Sequence, residues 1–298
     1  MSSNEIVGFI GLGVMGGPMC RNMALKHPGR VLAFDLSEDA LAALSDTKAE
    51  AMASIDALAA DADVVFLSLP GGPQVEKVAS LVADCARQGT VVVDLSTTPV
   101  AVARKVAEML AGKELLFADA PVARTREAAQ RGELSIMVGA PDDLYDRIAP
   151  LLGYVATDIT HGGDVGAGQV LKLVNNMLVF ANTVALAEMM VLGEKAGVKA
   201  ETLLDAVSKG SGDSFVLRNH GRKAMLPREF PDKAFSPEYV LKDISYVFDL
   251  AEETGVSLNA ADTARRYYEA AVRHGLGGRY FPSVIKVVED NAMTGDEE

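Results

Sequence analysis

Cysteine and tryptophan are the scarcest residues of this 298-residue chain, which contains two of the first and none of the second. Cys20 and Cys85 stand in no Cys-x-x-Cys or Cys/His spacing, so the sequence holds neither a zinc motif nor a redox pair. We expect both to be small apolar fillers of helices. Such sparse cysteine predicts a cytoplasmic protein, and the polar start Met1–Glu5 lacks the features of a secretion signal.

Positive charge is also in short supply, with 28 Lys and Arg residues against 41 Asp and Glu residues and a formal net charge of −13. A negative field repels phosphate backbones and anionic lipid headgroups, so we predict no nucleic-acid partner and no membrane partner. A few clustered basic residues could still attract a small anionic substrate. The most apolar long stretch, Met177–Leu192, is short for a bilayer span and contains Asn182 and Glu188, which indicates a buried helix.

Apolar residues are abundant, at 49% of the chain, and they follow two different patterns. In the first half, short apolar strands alternate with helical segments, which predicts a doubly wound, mainly parallel α/β sheet with right-handed crossovers. Ser37, Glu38 and Asp39 have the pattern of a helix start. The predicted strands are Ile6–Ile10, Val31–Phe34, Val64–Leu69, Val91–Leu95, Leu115–Ala118 and Ser135–Val138.

The alternation stops near residue 160, and the glycine-rich stretch His161–Gly168 is our predicted boundary. Residues 1–163 are assigned to the α/β domain and residues 164–298 to an all-α domain. Its first helix is apolar on most faces, which indicates burial in the domain or against another subunit. The acidic end, Thr294–Glu298, is expected to fray. The predicted helices are about Gln169–Ala196, Ala200–Lys209, Val240–Thr254, Asn259–His274 and Pro282–Asn291.

The run Gly11-Leu12-Gly13-Val14-Met15-Gly16 matches G-x-G-x-x-G and stands between a predicted strand and a predicted helix, which is the context that a nucleotide-binding turn requires. Gly11 allows the tight turn, Gly13 lets the backbone approach a pyrophosphate, and Gly16 lets the helix pack closely on the strand. The phosphates would then meet the free N–H groups of the helix N-terminus. The first domain is therefore predicted to be a Rossmann domain.

Asp35 ends the second predicted strand, where this fold needs an acidic residue. A carboxylate there accepts hydrogen bonds from ribose hydroxyls and repels a 2′-phosphate. The following Leu36 and Ser37 supply no arginine to hold that phosphate, so the sequence predicts NAD as the cofactor and disfavours NADP.

Two further strand ends, Leu69-Pro70 and Leu95-Ser96-Thr97, are assigned to the same cofactor site. Ligands of a doubly wound sheet lie beyond the carboxyl ends of its strands. We expect Leu69 and Pro70 to pack near the cofactor and the Thr97 hydroxyl to reach the nicotinamide ribose. For Ser96 and Thr97, a helix cap ahead of Pro99 is the alternative, and for Ser96 it stays open.

Hydride transfer leaves an alcohol proton to be removed, and Lys172 is the candidate for that step. The chain has no Tyr-x-x-x-Lys pair, too few Cys and His for a catalytic zinc, and no histidine with an obvious acid–base partner. The neighbours of Lys172 are mostly apolar, and partial desolvation lowers the pKa of an amine towards use as a base. Asn176 shares its helix face and Asn175 borders it. On spacing alone, a lysine that extends into solvent explains the pattern equally well.

Four segments in this order are specific: Gly11–Gly16, Asp119-Ala120-Pro121-Val122, Lys172 with Asn175-Asn176, and Lys242-Asp243. With them the chain resembles, over nearly its whole length, the β-hydroxyacid dehydrogenase family of 3-hydroxyisobutyrate dehydrogenases, tartronate semialdehyde reductases and sulfolactaldehyde reductases. The resemblance implies oxidation of a small anionic β-hydroxy acid, or reduction of its semialdehyde, with Lys172 as the catalytic residue. It also implies that Asn176 and the loop after Pro121 hold the substrate, that Lys242 lies near cofactor and substrate, and that the chain forms a homodimer or homotetramer.

The chain departs from this family after Pro121-Val122, where many members have Ser-Gly-Gly and this chain has Ala123-Arg124-Thr125-Arg126. The sulfolactaldehyde reductase branch carries a similar Arg-Thr pair. A guanidinium fork binds carboxylate or sulfonate, so we predict that Arg124 binds the substrate anion, that Thr125 adds a hydroxyl, and that Arg126 is solvated. The alternative is that Arg124 pairs with Glu127 or Glu133 on a polar loop. Carboxylate and sulfonate substrates both remain open.

Two other functions fit a fold of this kind. Imine reductases resemble the family but replace the catalytic lysine, and non-catalytic NAD-sensing modules lose it and usually add basic domains. The presence of Lys172 and the acidic composition favour the dehydrogenase over both.

Overall fold

The computed structural model of the chain describes residues 4–232 and 234–291. Residues 1–3 of the polar start and the predicted frayed end, Thr294–Glu298, lie outside the described residues. The chain divides into two compact units, Met1–Lys172 and Leu173–Glu298. The predicted domain boundary, between residues 163 and 164, falls nine residues before the boundary of these units.

The first unit contains one mixed, mostly parallel sheet. Its strands are β1 (Val7–Ile10), β2 (Val31–Phe34), β3 (Ala49–Ala51), β4 (Val64–Leu67), β5 (Val91–Asp94), β6 (Leu116–Asp119), β7 (Val122–Ala123), β8 (Leu134–Gly139) and β9 (Ala156–Gly163). Their order in the sheet is β3-β2-β1-β4-β5-β6-β8-β7, with β9 paired to β8. The order reverses at β1, so the chain winds outward in both directions from there, and this confirms the predicted doubly wound Rossmann fold.

Apolar cores cover both faces of this sheet, which is why its central strands are nearly continuous apolar runs. Phe9 and Phe66 belong to the core on one face, while Ile10 and Leu67 belong to the core on the other. Ser37 caps the second helix by accepting a hydrogen bond from the Ala40 N–H, as predicted. The helices of this unit are α1 (Gly16–Lys26), α2 (Glu38–Ala42), α3 (Ile55–Asp61), α4 (Gly72–Cys85), α5 (Val100–Ala111), α6 (Arg126–Arg131) and α7 (Asp142–Leu152). Cys20 and Cys85 lie in α1 and α4, in agreement with their prediction as helix residues.

Six strands occur within two residues of their predicted bounds, but β3, β7 and β9 were not predicted. β3 is a three-residue edge strand and β7 has two residues, so neither shows a usable periodicity. β9 ends at Gly163, close to the predicted end of the alternation near residue 160, but His161–Gly163 of the predicted boundary stretch belong to this strand. Its polar, glycine-containing sequence becomes a strand because it pairs in parallel with β8.

The second unit is helical in its described residues, apart from an isolated bridge between Asp232 and Arg279. Its core is formed around Phe180, Tyr268 and Phe281. A π-helical segment, Leu217–Met225, was not predicted. The helices are α8 (Ala167–Lys195), which begins in the first unit, α9 (Ala200–Val207), α10 (Pro237–Thr254), α11 (Asn259–Ala271) and α12 (Ile285–Glu289), joined by the π-helical Val272–Leu276 and the 3₁₀ turn Phe281–Val284.

Helix α8 has 29 residues and, with a mean hydropathy of 1.5 in its most apolar window, is long and apolar enough to cross a membrane. Core helices of folded domains meet the same criteria. Phe180, Val184 and Ala187 of α8 are buried in the core of the second unit. Leu178, Met189 and Leu192 of the same stretch are more than half exposed, so the prediction of a buried helix over Met177–Leu192 holds for one face of α8 only.

Candidate active site and cofactor site

The glycine turn between β1 and α1 has the shape of a phosphate cradle. Gly11 has φ +94°, and its N–H donates to the Phe34 carbonyl oxygen at 2.9 Å. A Cβ on Gly11 would overlap the Ser68 carbonyl oxygen, and one on Gly16 would overlap the Gly11 carbonyl oxygen. Only glycine therefore fits these two positions. A Cβ on Gly13 would meet nothing within 4 Å, so the space over the middle of the turn is open.

Asp35 organises this turn through its carboxylate. Oδ2 accepts the Leu12 N–H at 2.6 Å, and Oδ1 accepts the Ser37 N–H at 2.8 Å. The carboxylate therefore lies directly beside the glycine turn, where the ribose acceptor was predicted. The neighbouring Leu36 is 94% exposed, and Val14 on the other side of the turn is also exposed.

The ends of β4 and β5 are joined by Ser96, whose hydroxyl accepts the Leu69 N–H at 2.9 Å. The cap alternative for Ser96 is wrong, because Pro99 is the N-cap residue of α5 and no side chain caps that helix. Ser96 is 5% exposed, so it aligns the two strand ends from inside the protein. Thr97 is half-buried and Pro70 is exposed.

Lys172 is 9% exposed on α8, five residues after the helix begins. Asn176 follows one helical turn later and is 7% exposed. An isolated lysine with its charge in solvent would be more exposed than this, so the burial favours a specific role for the side chain.

The start of α8 is held by Asp119, the last residue of β6, which is fully buried. Its Oδ1 accepts the Gly166 N–H at 2.6 Å, and its Oδ2 accepts the Gln169 N–H at 2.7 Å. Burial raises the pKa of the Asp119 carboxyl to about 6, although both N–H donors oppose that shift. Asp119 belongs to the motif Asp119-Ala120-Pro121-Val122, from which no role for its carboxylate was predicted.

In the second unit, Asp243 contacts two of the predicted site residues, Asn176 and Lys242, and a third, Asn175, binds Asn176. The Asn176 side-chain amide donates to Asp243 Oδ2 at 2.7 Å, and Asn175 donates to Asn176 Oδ1 at 3.2 Å. Lys242 Nζ lies 3.1 Å from Asp243 Oδ1 and also 5.3 Å from the centre of the Tyr246 ring. Asp243 is 1% exposed. The sequence shows an acid next to a lysine, but only the fold shows that this acid is buried and which amide it binds.

The loop after Pro121 forms β7 and then turns at Arg124, which has φ +86°. Arg124 donates to the Glu133 carbonyl oxygen at 2.7 Å and to the Thr157 hydroxyl at 2.9 Å, and it pairs with Asp158 at 2.5 Å. The alternative prediction, that Arg124 pairs with the carboxylate of Glu127 or Glu133, is therefore wrong in its partner, which is Asp158. The pairing of β8 with β9 brings Asp158 near Arg124.

Thr125 and Arg126 have local roles in the same loop. Thr125 is the N-cap of α6: its hydroxyl accepts the Ala128 N–H and donates to Glu127. Arg126 is exposed, as expected of a solvated side chain. Pro121 and Ala123 are buried, and Val122 is half-buried.

Two family models cover most of the chain. Residues 6–163 match the NAD binding domain of 6-phosphogluconate dehydrogenase, and residues 166–288 match the NAD-binding region of NADP-dependent 3-hydroxyisobutyrate dehydrogenase. The chain is 37% identical to 2-(hydroxymethyl)glutarate dehydrogenase of Eubacterium barkeri over 99% of its own length and 98% of the relative.

Solved structures agree with these matches. A structure of 3-hydroxyisobutyrate dehydrogenase from Mycobacterium tuberculosis with L-serine has a TM-score of 0.87 and 29% identity, covering 96% of this chain and 99% of that one. An imine reductase from Pseudomonas sp. has a TM-score of 0.64 over 95% of this chain and 99% of that one, at 18% identity, which is a likeness of fold alone.

The fold, the glycine turn and these matches define an NAD-dependent oxidoreductase that acts on hydroxyl groups. The chain belongs to the β-hydroxyacid dehydrogenase family, that of the 3-hydroxyisobutyrate dehydrogenases, as its motifs predicted. The residues fit the cofactor: the open space over Gly13 admits a pyrophosphate, and the Asp35 carboxylate is positioned to accept from a ribose hydroxyl.

Substitution of Asp35 by alanine should shift the cofactor preference. The variant loses a charged ribose acceptor and no longer repels a 2′-phosphate. We expect the ratio of kcat/KM with NAD to kcat/KM with NADP to fall by at least ~10-fold, since one hydrogen bond to a charged group contributes about 1.5–3 kcal/mol. Steady-state kinetics with both cofactors measure the ratio, and Asp39→Ala on α2 is the matched control. An unchanged ratio in Asp35→Ala would remove Asp35 from the cofactor site.

The raised pKa of Asp119 predicts a pH-dependent contribution to stability. The native carboxyl binds its proton more tightly than the unfolded chain, so its contribution is complete below about pH 4 and is lost as the pH rises through about 6. Asn at this position does not titrate. The quantity to compare is the free energy of unfolding of the wild type minus that of Asp119→Asn, measured in urea titrations. We expect this difference to be about 2–3 kcal/mol larger at about pH 4 than at about pH 7.

Asp158→Asn is the control for this measurement. Hydrogen bonds from Thr157 and Arg124 hold the pKa of Asp158 below its usual value, so the corresponding difference should decrease as the pH falls. A difference for Asp119→Asn that is flat, or that shrinks in acid, contradicts the raised pKa.

Proposed function

We propose that this chain oxidises the primary alcohol of a small 2-substituted 3-hydroxypropionate to its semialdehyde, or catalyses the reverse reduction, with Lys172 as general acid and base. The observation that carries the proposal is the burial of Lys172 one turn before a buried asparagine on α8. A lysine is rarely buried unless its amine has a partner or a chemical task.

The names of the relatives define the proposed substrate class. One relative is named for 2-(hydroxymethyl)glutarate, another for 3-hydroxyisobutyrate, and the structure of the latter is described with L-serine. All three compounds contain a primary alcohol on the carbon next to C2 of a carboxylic acid. They differ only in the C2 substituent, which is carboxyethyl, methyl or amino. We take the shared part as the substrate core and leave the C2 substituent open.

The proposed reaction divides the work between cofactor and protein. The turn Gly11–Gly16 and Asp35 would hold NAD, which would supply the acceptor for the hydride of the carbinol carbon. The neutral Lys172 amine takes the hydroxyl proton, so the alcohol becomes an aldehyde and the protein is left with an ammonium group that returns its proton to solvent. In the direction of reduction, the ammonium form of Lys172 donates the proton to the carbonyl oxygen.

Asn176 and Lys242 are proposed to orient the substrate. Asp243 accepts from the Asn176 amide and lies beside the Lys242 ammonium, so both side chains have fixed polar atoms. The Asn176 carbonyl oxygen has a second lone pair to offer a hydroxyl, and the Lys242 ammonium can attract a carboxylate. Asn175 contributes by holding the Asn176 amide in its orientation.

We further propose that the loop of residues 121–125 receives the acidic group of the substrate through Arg124. The pair between Arg124 and Asp158 is exposed, with side chains 40% and 57% accessible, and such exposed pairs contribute little to stability. A carboxylate or sulfonate can therefore replace Asp158 at little cost. Arg124 also adopts a φ of +86°, a backbone conformation that is strained for an arginine but not for a glycine. Strained residues of this kind are concentrated at ligand-binding sites, which supports a role for Arg124 in binding.

We also propose that the protein is a cytoplasmic homo-oligomer that acts on a small molecule. Exposed apolar residues of α8, namely Leu171, Val174, Leu178, Met189 and Leu192, support a homodimer or homotetramer. The net charge of −13 supports a small-molecule substrate with no nucleic-acid or membrane partner. Two free cysteines support a cytoplasmic location.

Turnover of a compound panel by the wild type and by Lys172→Ala tests the main proposal. The panel contains 3-hydroxyisobutyrate, 2-(hydroxymethyl)glutarate, L-serine, glycerate, 4-hydroxybutyrate, threonate and dihydroxypropanesulfonate, each with NAD and with NADP. We expect one 2-substituted 3-hydroxypropionate to be preferred with NAD, and kcat to fall at least ~100-fold in Lys172→Ala because the acid–base group is lost. NAD affinity should be unchanged.

Lys195→Ala, on the exposed end of the same helix, is the matched control and should behave as the wild type. Preference for dihydroxypropanesulfonate would replace the carboxylate by a sulfonate in the proposed substrate. Retained activity in Lys172→Ala would remove the lysine from the chemistry.

Two substitutions distinguish between the alternative roles of Arg124, which are binding of the substrate anion and attachment of the loop to β9. If Arg124 binds the substrate anion, Arg124→Ala raises KM for that substrate by ~10–100-fold, while Asp158→Ala, which frees the guanidinium, leaves KM equal or lower. If Arg124 only joins the loop to β9, both variants have the same KM as the wild type and show the same small loss of thermal stability. Initial-rate kinetics with a fixed NAD concentration distinguish the two results.

A further inference from the structure

Gln169, in the first turn of α8, is fully buried and joins that helix to the end of β5. Its side-chain amide donates through Nε2 to the Ser96 carbonyl oxygen at 2.9 Å and accepts through Oε1 from the Thr98 N–H at 3.0 Å. Its backbone N–H donates to Asp119 at the end of β6. One residue thus connects three elements that are distant in sequence.

The two peptide groups that Gln169 binds are those on either side of Thr97, the residue predicted to reach the nicotinamide ribose. Asp94, also fully buried, supports the same loop by accepting from the Ser96 N–H at 2.9 Å and from the Thr98 hydroxyl at 2.7 Å. The Ser96 hydroxyl in turn binds the Leu69 N–H. The backbone on both sides of Thr97 is therefore fixed, and Gln169 is its link to α8.

The anchored turn is closely packed. A Cβ on Gly168 would lie 2.8 Å from Asp119 Oδ2, and one on Gly139 would lie 2.5 Å from Asp119 Oδ1. Backbone is therefore packed directly against the carboxylate that holds α8. Lys172 follows Gln169 by three residues, so a displacement of this turn moves the lysine with it.

We propose that Gln169 is a positioning residue, which fixes the distance between the Lys172 amine and the cofactor-facing loop Ser96–Thr98. The inference rests on the proposed role of Lys172 as general acid and base. Gln169 acts through Lys172 and Thr97 and needs no contact with substrate. Misplacement of a reacting group by about 1 Å can cost ~100-fold in rate, which gives this hydrogen-bond pair a kinetic consequence beyond stability.

The chemistry of the amide allows a sharp test. Gln169 must present one donor, to the Ser96 carbonyl, and one acceptor, to the Thr98 N–H. A protonated glutamic acid presents the same two groups, whereas an ionised one directs an oxygen at the Ser96 carbonyl. The charged and titratable groups nearby are Asp94 on β5, Asp119 on β6, Arg104 on α5 and Lys172 itself.

The experiment compares Gln169→Glu and Gln169→Met with Gln88→Glu, an exposed glutamine in the loop before β5. We expect kcat of Gln169→Met to fall ~10–100-fold at every pH, with substrate KM changed far less. The kcat of Gln169→Glu, divided by that of the wild type, should be high near pH 6 and decline ~10-fold by about pH 8.5, as the buried acid ionises. Gln88→Glu should match the wild type throughout.

Two results overturn the proposal: a ratio for Gln169→Glu that does not vary with pH, or a Gln169→Met variant with wild-type kcat. If Gln169→Met does not fold, as judged by its thermal transition, the pH dependence of Gln169→Glu decides alone. A purely structural role would lower the yield or melting temperature of both variants and leave the pH profile of kcat unchanged.

A second readout separates this inference from the proposed function. The rate of acetylation of Lys172 relative to Lys195, measured by peptide mass spectrometry, needs no turnover. If the wild type oxidises no compound, the proposed function fails, and the acetylation rate still tests the positioning. A change of at least about threefold in Gln169→Met supports it, and an unchanged rate overturns it.

Discussion

The position of the start of α8 in the first unit depends on the two hydrogen bonds that the buried carboxylate of Asp119 accepts. The first N–H groups of any helix lack partners inside the helix, and α8 begins in the interior, where water cannot supply them. Asp119 accepts from Gly166 and Gln169 and so places the helix start at the ends of β5 and β6. The carboxylate is desolvated, which is why its pKa lies near 6, and the two N–H donors offset part of that cost.

From this anchor the polar residues of the unit form a connected series. Gln169 continues it to the loop around Thr97, and Ser96 continues it to Leu69 at the end of β4. The end of β2, which is separated from β4 by β1, carries Asp35, and Asp35 binds the glycine turn that follows β1. Hydrogen bonds between side chains and backbone therefore fix the carboxyl ends of four parallel strands, at the edge where doubly wound sheets bind their ligands.

In the second unit, a buried carboxylate likewise binds polar groups around it. Asp243 is buried, accepts from the Asn176 amide and pairs with Lys242. Removing this buried acid would take away the acceptor that both the Asn176 amide and the Lys242 ammonium face, so the orientation of these two side chains depends on Asp243. Asp119, Gln169 and Asp243 had not been assigned roles from sequence, because nothing in the chain around them shows which distant group each one binds.

The sequence by itself determined the Rossmann architecture, the helical second part, the family and the cofactor class. The architecture and the cofactor class depend on local properties: the period of apolar residues, the glycines of one turn, and an acid at a fixed distance along the chain. The family was predicted from the resemblance of four short segments to known dehydrogenases. The tertiary structure decided what depends on contacts between distant segments. It made β9 a strand, turned Ser96 from a candidate cap into a link between two strand ends, and gave Arg124 the partner Asp158. Hydrogen bonds across 27 to 73 residues, such as those of Ser96 and Gln169, carry no periodic signal, so only the folded chain reveals them.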